Sequence, residues 1–178
     1  MKKNFLYIAL IGITLVLSTS YSFAQKAGFA QQFAVLKRMK PELTTIGVMG
    51  STLVDKNIDA LTHAAAGLGL KIVVGIPRSM RDIADVYREL LKNGAQVIFI
   101  PDGNDNLVLG NGFEYLRDNS LTDRIGIIVP QQSFVSTGAL CSVTMEDGKL
   151  KAFVNQKIAQ VVGANIPGGD DKVMYVTQ

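Results

Sequence analysis

Four short runs rich in Val and Ile recur along this chain: Thr44-Thr45-Ile46-Gly47-Val48-Met49, Lys71-Ile72-Val73-Val74-Gly75-Ile76, Gln96-Val97-Ile98-Phe99-Ile100 and Arg124-Ile125-Gly126-Ile127-Ile128-Val129. They begin near residues 44, 71, 96 and 124, an interval of roughly 25–28 residues, which is the length of one strand plus one crossover helix. The runs do not alternate polar with apolar, so each is apolar on both faces and needs cover on both sides. Helical stripes lie between and before them. Ile58, Leu61, Ala65 and Leu68 face one way; Ile83, Val86, Tyr87, Leu90 and Leu91 follow at i, i+3, i+4, i+7 and i+8; Phe29, Phe33 and Leu36 form a stripe over residues 27–40, before Pro41. The pattern predicts an α/β fold, a doubly wound parallel sheet of at least four strands flanked by helices.

Punctuation supports the same reading. Ser79 and Asp82 have the spacing of a capping box, Gly67 or Gly69 and then Gly94 stop helices, and a shorter helix is expected around Gly112 to Asn119. Past Gln131 the pattern changes. Ala139 to Val143 reads as a strand, Asp147-Gly148 as a turn, and Leu150 to Val154 as its antiparallel return. Asn155 should cap a helix carrying Ile158 and Val162, and Lys172 to Thr177 could add an edge strand.

The first 24 residues divide into basic Lys2-Lys3, an uncharged run from Phe5 to Leu17, and a polar stretch ending in Ser22-Phe23-Ala24. This is the layout of a cleavable signal peptide over 1–24, followed by a single domain over 25–178; the apolar run is shorter than the ~20 residues that span a bilayer, although an uncleaved anchor is the alternative. Export would place the mature protein in the periplasm. The lone cysteine, Cys141, lies in Ala139-Leu140-Cys141-Ser142-Val143 and is expected in a core strand rather than in catalysis. The net charge of +3 includes Lys2 and Lys3, and the densest remaining basic stretch, Lys37-Arg38-Met39-Lys40, reads as the solvated end of a helix. Nucleic-acid binding is therefore not expected.

In an open parallel sheet, ligand-facing groups lie beyond the carboxyl ends of the strands. Here that rim comprises Gly50-Ser51-Thr52, Pro77-Arg78-Ser79, Asp102-Gly103-Asn104-Asp105-Asn106 and Gln131-Gln132-Ser133. It offers hydroxyls, amides, carboxylates and a guanidinium, a set suited to hydrogen-bonding a small polar molecule. Asp102 to Asn106 would also serve simply as a turn and helix cap. Asp102 and Asp105 lack the spacing of a calcium loop, and no nucleophile triad, zinc set or phosphate loop emerges, so neither an enzyme nor a cofactor is expected.

The order of segments resembles a specific family. Phe33 to Pro41, Ile46-Gly47-Val48-Met49, Val97-Ile98-Phe99-Ile100-Pro101 with Asp105-Asn106-Leu107-Val108, and Ser133-Phe134-Val135-Ser136-Thr137-Gly138-Ala139-Leu140 are similar to motifs of the ABC-transporter substrate-binding proteins, periplasmic-binding-protein type I, in the tryptophan and tyrosine branch. The resemblance covers roughly residues 33–142. A family member closes two lobes on its ligand like a hinged clamp, and this chain matches only the second lobe. Where a family member would cross back through the hinge stands Thr144-Met145-Glu146-Asp147-Gly148-Lys149-Leu150. The resemblance implies a non-catalytic, exported component of an uptake system. It would hold a small polar or aromatic solute at Ser51, Asp102, Asn106 and Gln132, with a membrane permease as partner and a second chain, such as another copy in a homodimer, as the missing jaw. The alternative is a degenerate lobe acting as a periplasmic interaction or regulatory module on a membrane sensor, cyclase or receptor. That reading expects an exposed apolar face including Phe29 and Phe33.

Overall fold

A computed structural model describes residues 25–51, 54–170 and 172–178. The expected signal peptide and Thr52 lie outside the described residues. In chain order the elements are β1 (Gln25–Lys26), α1 (Phe29–Met39), β2 (Thr45–Met49), α2 (Val54–Ala66), β3 (Lys71–Gly75), α3 (Asp82–Lys92), β4 (Val97–Phe99), a π-helical turn over Asn106–Asn111, α4 (Gly112–Asp123), β5 (Gly126–Ile128), α5 (Ser133–Ser136), β6 (Cys141–Glu146), β7 (Lys149–Val154), α6 (Gln156–Val161) and β8 (Val173–Thr177).

The strands form one sheet in the order β3-β2-β4-β5-β6-β7-β8, with β1 paired to β6. From β3 through β6 the pairings are parallel. β7 turns back antiparallel to β6, and β8 runs parallel to β7. The doubly wound α/β lobe expected from the four apolar runs is thus the observed one, and the late change of pattern corresponds to the antiparallel return.

Both-face burial has a direct structural basis. Val97 and Phe99 of β4 belong to one core, with Phe33 and Leu36 of α1, Leu61 and Ala65 of α2 and Ala159 of α6. Their neighbours Ile98 and Ile100 belong to the other, with Ile83, Tyr87 and Leu90 of α3, Phe113 and Leu116 of α4 and Val135 of α5. Successive side chains on a strand point to opposite faces, so helices on both sides demand apolar residues at every position.

Phe29 and Phe33 belong to the first of these cores. Phe33 is fully buried, and both rings meet Phe99 edge to face, at 5.1 Å for Phe33 and 6.0 Å for Phe29. The exposed aromatic face expected for an interaction module is therefore corrected: α1 uses it to cover the sheet.

Local signals match the structure at several element ends. Asp147 and Gly148, both with positive φ (50° and 74°), make the two-residue turn between β6 and β7, the conformation that favours Asp-Gly in hairpins. Asn155 Oδ1 accepts the Ile158 amide at 3.1 Å and so caps α6. The Ser79–Asp82 pair makes one half of the expected box. Asp82 accepts the Arg78 and Ser79 amides at 3.0 and 2.9 Å, but α3 begins only at Asp82, because residues before it form a turn.

Cys141 opens β6 and is fully buried. Burial pushes its thiol from an ordinary 9.0 up to about 12. A thiol protonated more tightly when folded stabilises the fold below its ordinary titration range, and that contribution is lost as pH rises from about 9 toward 12. The folded protein should resist a thiol-directed alkylating reagent at about pH 8 and react fully once denatured. Alkylation of the native chain at the rate of a free thiol would contradict this.

Candidate functional site

The strand order contains one reversal. The chain moves from β2 outward to β3, then returns past β2 to place β4 on its other side. At such a switch point the connections after the two inner strands diverge and leave a crevice at their carboxyl ends. Here those connections begin at Gly50-Ser51 and Pro101-Asp102, with the β5 connection, Pro130-Gln131-Gln132, next to them.

The centre of this rim is a clasp between the first two connections. Asp105 is 2% exposed, and its carboxylate accepts the Ser51 amide at 2.6 Å, the Ser51 hydroxyl at 2.7 Å and the Val108 amide at 3.1 Å. A buried carboxylate needs this many donors to offset its lost hydration. A second brace joins the next pair of connections: Gln131 Nε2 donates to the Gly103 carbonyl at 2.8 Å. The β2, β4 and β5 connections are therefore tied side by side.

The four candidate site residues, Ser51, Asp102, Asn106 and Gln132, are distributed over these connections. Ser51 lies at the clasp, half-buried, and both its amide and its hydroxyl proton are directed to Asp105, leaving only hydroxyl lone pairs for anything else. Asp102 is half-buried, and its Oδ1 accepts the Asn104 amide at 3.0 Å, stabilising its own turn. Asn106 and Gln132 are exposed, and their side chains make no hydrogen bond to another described residue.

Asp105 and Gln131 were legible only as members of polar loops. Their roles depend on contacts across the strand order. Asp105 carries a local signal as well, since it stands three residues before the apolar Val108 whose amide it caps. His63 is exposed on α2, away from any such cluster. Among the described residues, no three His, Cys, Asp or Glu side chains are grouped to hold a metal ion. No helix among them is long and apolar enough to cross a membrane.

No family model and no curated protein matches the sequence. Solved structures match the fold. The ABC domain from Streptococcus pneumonia in complex with L-Trp is 20% identical with a TM-score of 0.70, covering 84% of this chain and 62% of that one. A ligand-free, open substrate binding protein with adhesive properties from Clostridium difficile is 20% identical with a TM-score of 0.68, covering 85% and 60%. A conserved domain protein from Vibrio cholerae is 18% identical with a TM-score of 0.68, covering 84% and 60%. At this identity the likeness is one of fold, and the chain spans about three fifths of the length of these structures.

Proposed function

We propose that this chain is an exported, non-catalytic solute-binding component of an ABC-type uptake system, directed out of the cytoplasm by residues 1–24. The observation that carries the reading is the braced polar rim at the reversal of strand order. A fold shared with a substrate binding protein and with a domain bound to L-Trp supports it.

The chemistry of the rim narrows the solute. Asp105 is buried and both its oxygens are engaged by Ser51 and Val108, so it supports the rim rather than the ligand. The second oxygen of Asp102, the amides of Asn106 and Gln132 and the lone pairs of Ser51 remain as partners. One acceptor-only carboxylate beside two amides, each both donor and acceptor, suits a small ammonium-bearing molecule such as an amino acid. L-Tryptophan is the first compound to test. The described lobe faces only one side of it, so enclosing the solute needs a second surface opposite the rim.

The test is titration calorimetry and native mass spectrometry across a panel of amino acids and related polar solutes. With a solute found, Asn106→Ala and Gln132→Ala should each weaken binding by about 1–3 kcal/mol, roughly 5- to 150-fold. Their exposed side chains carry no described internal bond, so melting should stay within about 2 °C of the parent. Absence of binding across the panel, or binding indifferent to both substitutions, would reject the reading.

A further inference from the structure

The opposite margin of the sheet carries a second surface. β3 ends the strand order, with β2 its one described partner. The Lys71 amide donates to Thr44 O at 2.8 Å, and Gly75 O accepts the Gly50 amide at 3.3 Å, with Ile72 beside Ile46 and Val74 beside Val48. In this parallel register the peptide groups of Lys71, Val73 and Gly75 turn toward β2, and those of Ile72 and Val74 turn outward to the open edge.

The burial of β3 matches an unfinished edge. All of β4 and β5 is buried, whereas Lys71 is exposed and Ile72, Val73, Val74 and Gly75 are only half-buried. Ile58, Thr62, Ala65 and Leu70 join Ile72 and Val74 in lining a groove of about 500 Å³ along the strand. Beyond it, Ile76 is 37% and Met80 41% exposed. The residues that usually blunt an edge, a lysine and a proline, stand only at its two ends, as Lys71 and Pro77.

We infer that this edge pairs with β3 of a second copy, antiparallel about a two-fold axis through Val73. In that register Ile72 faces Val74 of the other copy, and the outward peptide groups on each side exchange their bonds. Lys71, the only charged side chain of the strand, stands opposite Gly75, which has none, so no like charges meet. A slip of one residue would set outward peptide groups against inward ones and is excluded, and the axis through Val73 is the register that pairs the strand along its whole length. The strand thus meets no like charge in a second copy and matches it in bonding pattern, which makes a second copy the fitting occupant. Antiparallel pairing points the two polar rims in opposite directions. The dimer consequently does not rebuild a two-jawed clamp, and it holds whether or not the rim binds a solute.

The test uses the full purified chain. Sedimentation should give a dimer in the micromolar range. In Val73→Cys the two residues on the axis form a non-hydrogen-bonded pair with Cα atoms about 4.5 Å apart, within disulfide reach; the native Cys141 is buried and does not compete. Mild oxidation should therefore convert this variant to a dimer that reductant releases. Val74→Pro removes one outward amide per copy but leaves the bonds to β2, and should weaken dimerisation about tenfold or more. A monomer at about a hundred micromolar would overturn the inference, as would a dimer that neither cross-links through residue 73 nor responds to Val74→Pro. If Val74→Pro does not fold, the cross-link decides alone.

Discussion

Asp105→Ala is expected to lower the unfolding free energy by about 2–4 kcal/mol, and the melting temperature by roughly 5–15 °C. The effect comes from three donors directed at one carboxylate 2% exposed to solvent: the Ser51 amide and hydroxyl and the Val108 amide. Alanine leaves those groups without their acceptor at a site largely closed to solvent. It also unties the β2 connection from the β4 connection, so any affinity of the rim should fall with stability. Asp105→Asn keeps one acceptor oxygen but turns an amide donor toward donors, so about half the loss should remain. Urea and thermal unfolding of both variants measure this. Unchanged melting in Asp105→Ala would mean that the clasp is not the support of the rim.

Phe99→Ala should cost still more, about 3–5 kcal/mol. Phe99 is 1% exposed, at the end of β4, and its ring is met edge to face by Phe33 at an interplanar angle of 76° and by Phe29 at 86°. Truncation removes the buried ring, leaves a cavity and takes away the surface on which α1 seats both aromatics. Phe99→Leu restores most of the volume without the ring contacts, and about 1–2 kcal/mol of the loss should remain. A loss below about 1 kcal/mol for the alanine variant would show that α1 is held elsewhere.

The contrast between these two positions explains what could be read from the chain alone. Phe99 sits in a run whose neighbours are all apolar, and the reason for that run, helices on both faces, is a property of periodicity. The strands, the stripes of α2 and α3, the Asp147-Gly148 turn and the Asn155 cap were accessible for the same reason: their causes lie within a few residues of each other. Asp105 was visible as one of several polar loop residues. Its partner Ser51 is 54 positions away in sequence, and the two meet only because the chain returns from β3 past β2 to place β4 on the other side of β2. Gln131 and Gln132 make the same point. They are chemically identical neighbours, and only the carbonyl of Gly103 distinguishes the brace from the free amide. The aromatic stripe of α1 was legible as a stripe, but not the surface that would cover it; a helix that precedes the first long strand has no local signal for which face of the sheet it will occupy.

The β6–β7 hairpin bears on how such a rim would work over time. In a two-lobed clamp, strands leaving the sheet form a pivot, and the residence time of a captive is governed by how often that pivot opens. Here Asp147 and Gly148 return the chain at once to the same sheet as a closed ribbon. Among the described residues this ribbon gives a molecule resting on the rim no pivot to wait for. On the described surface alone, its lifetime would be set by bare contact energy.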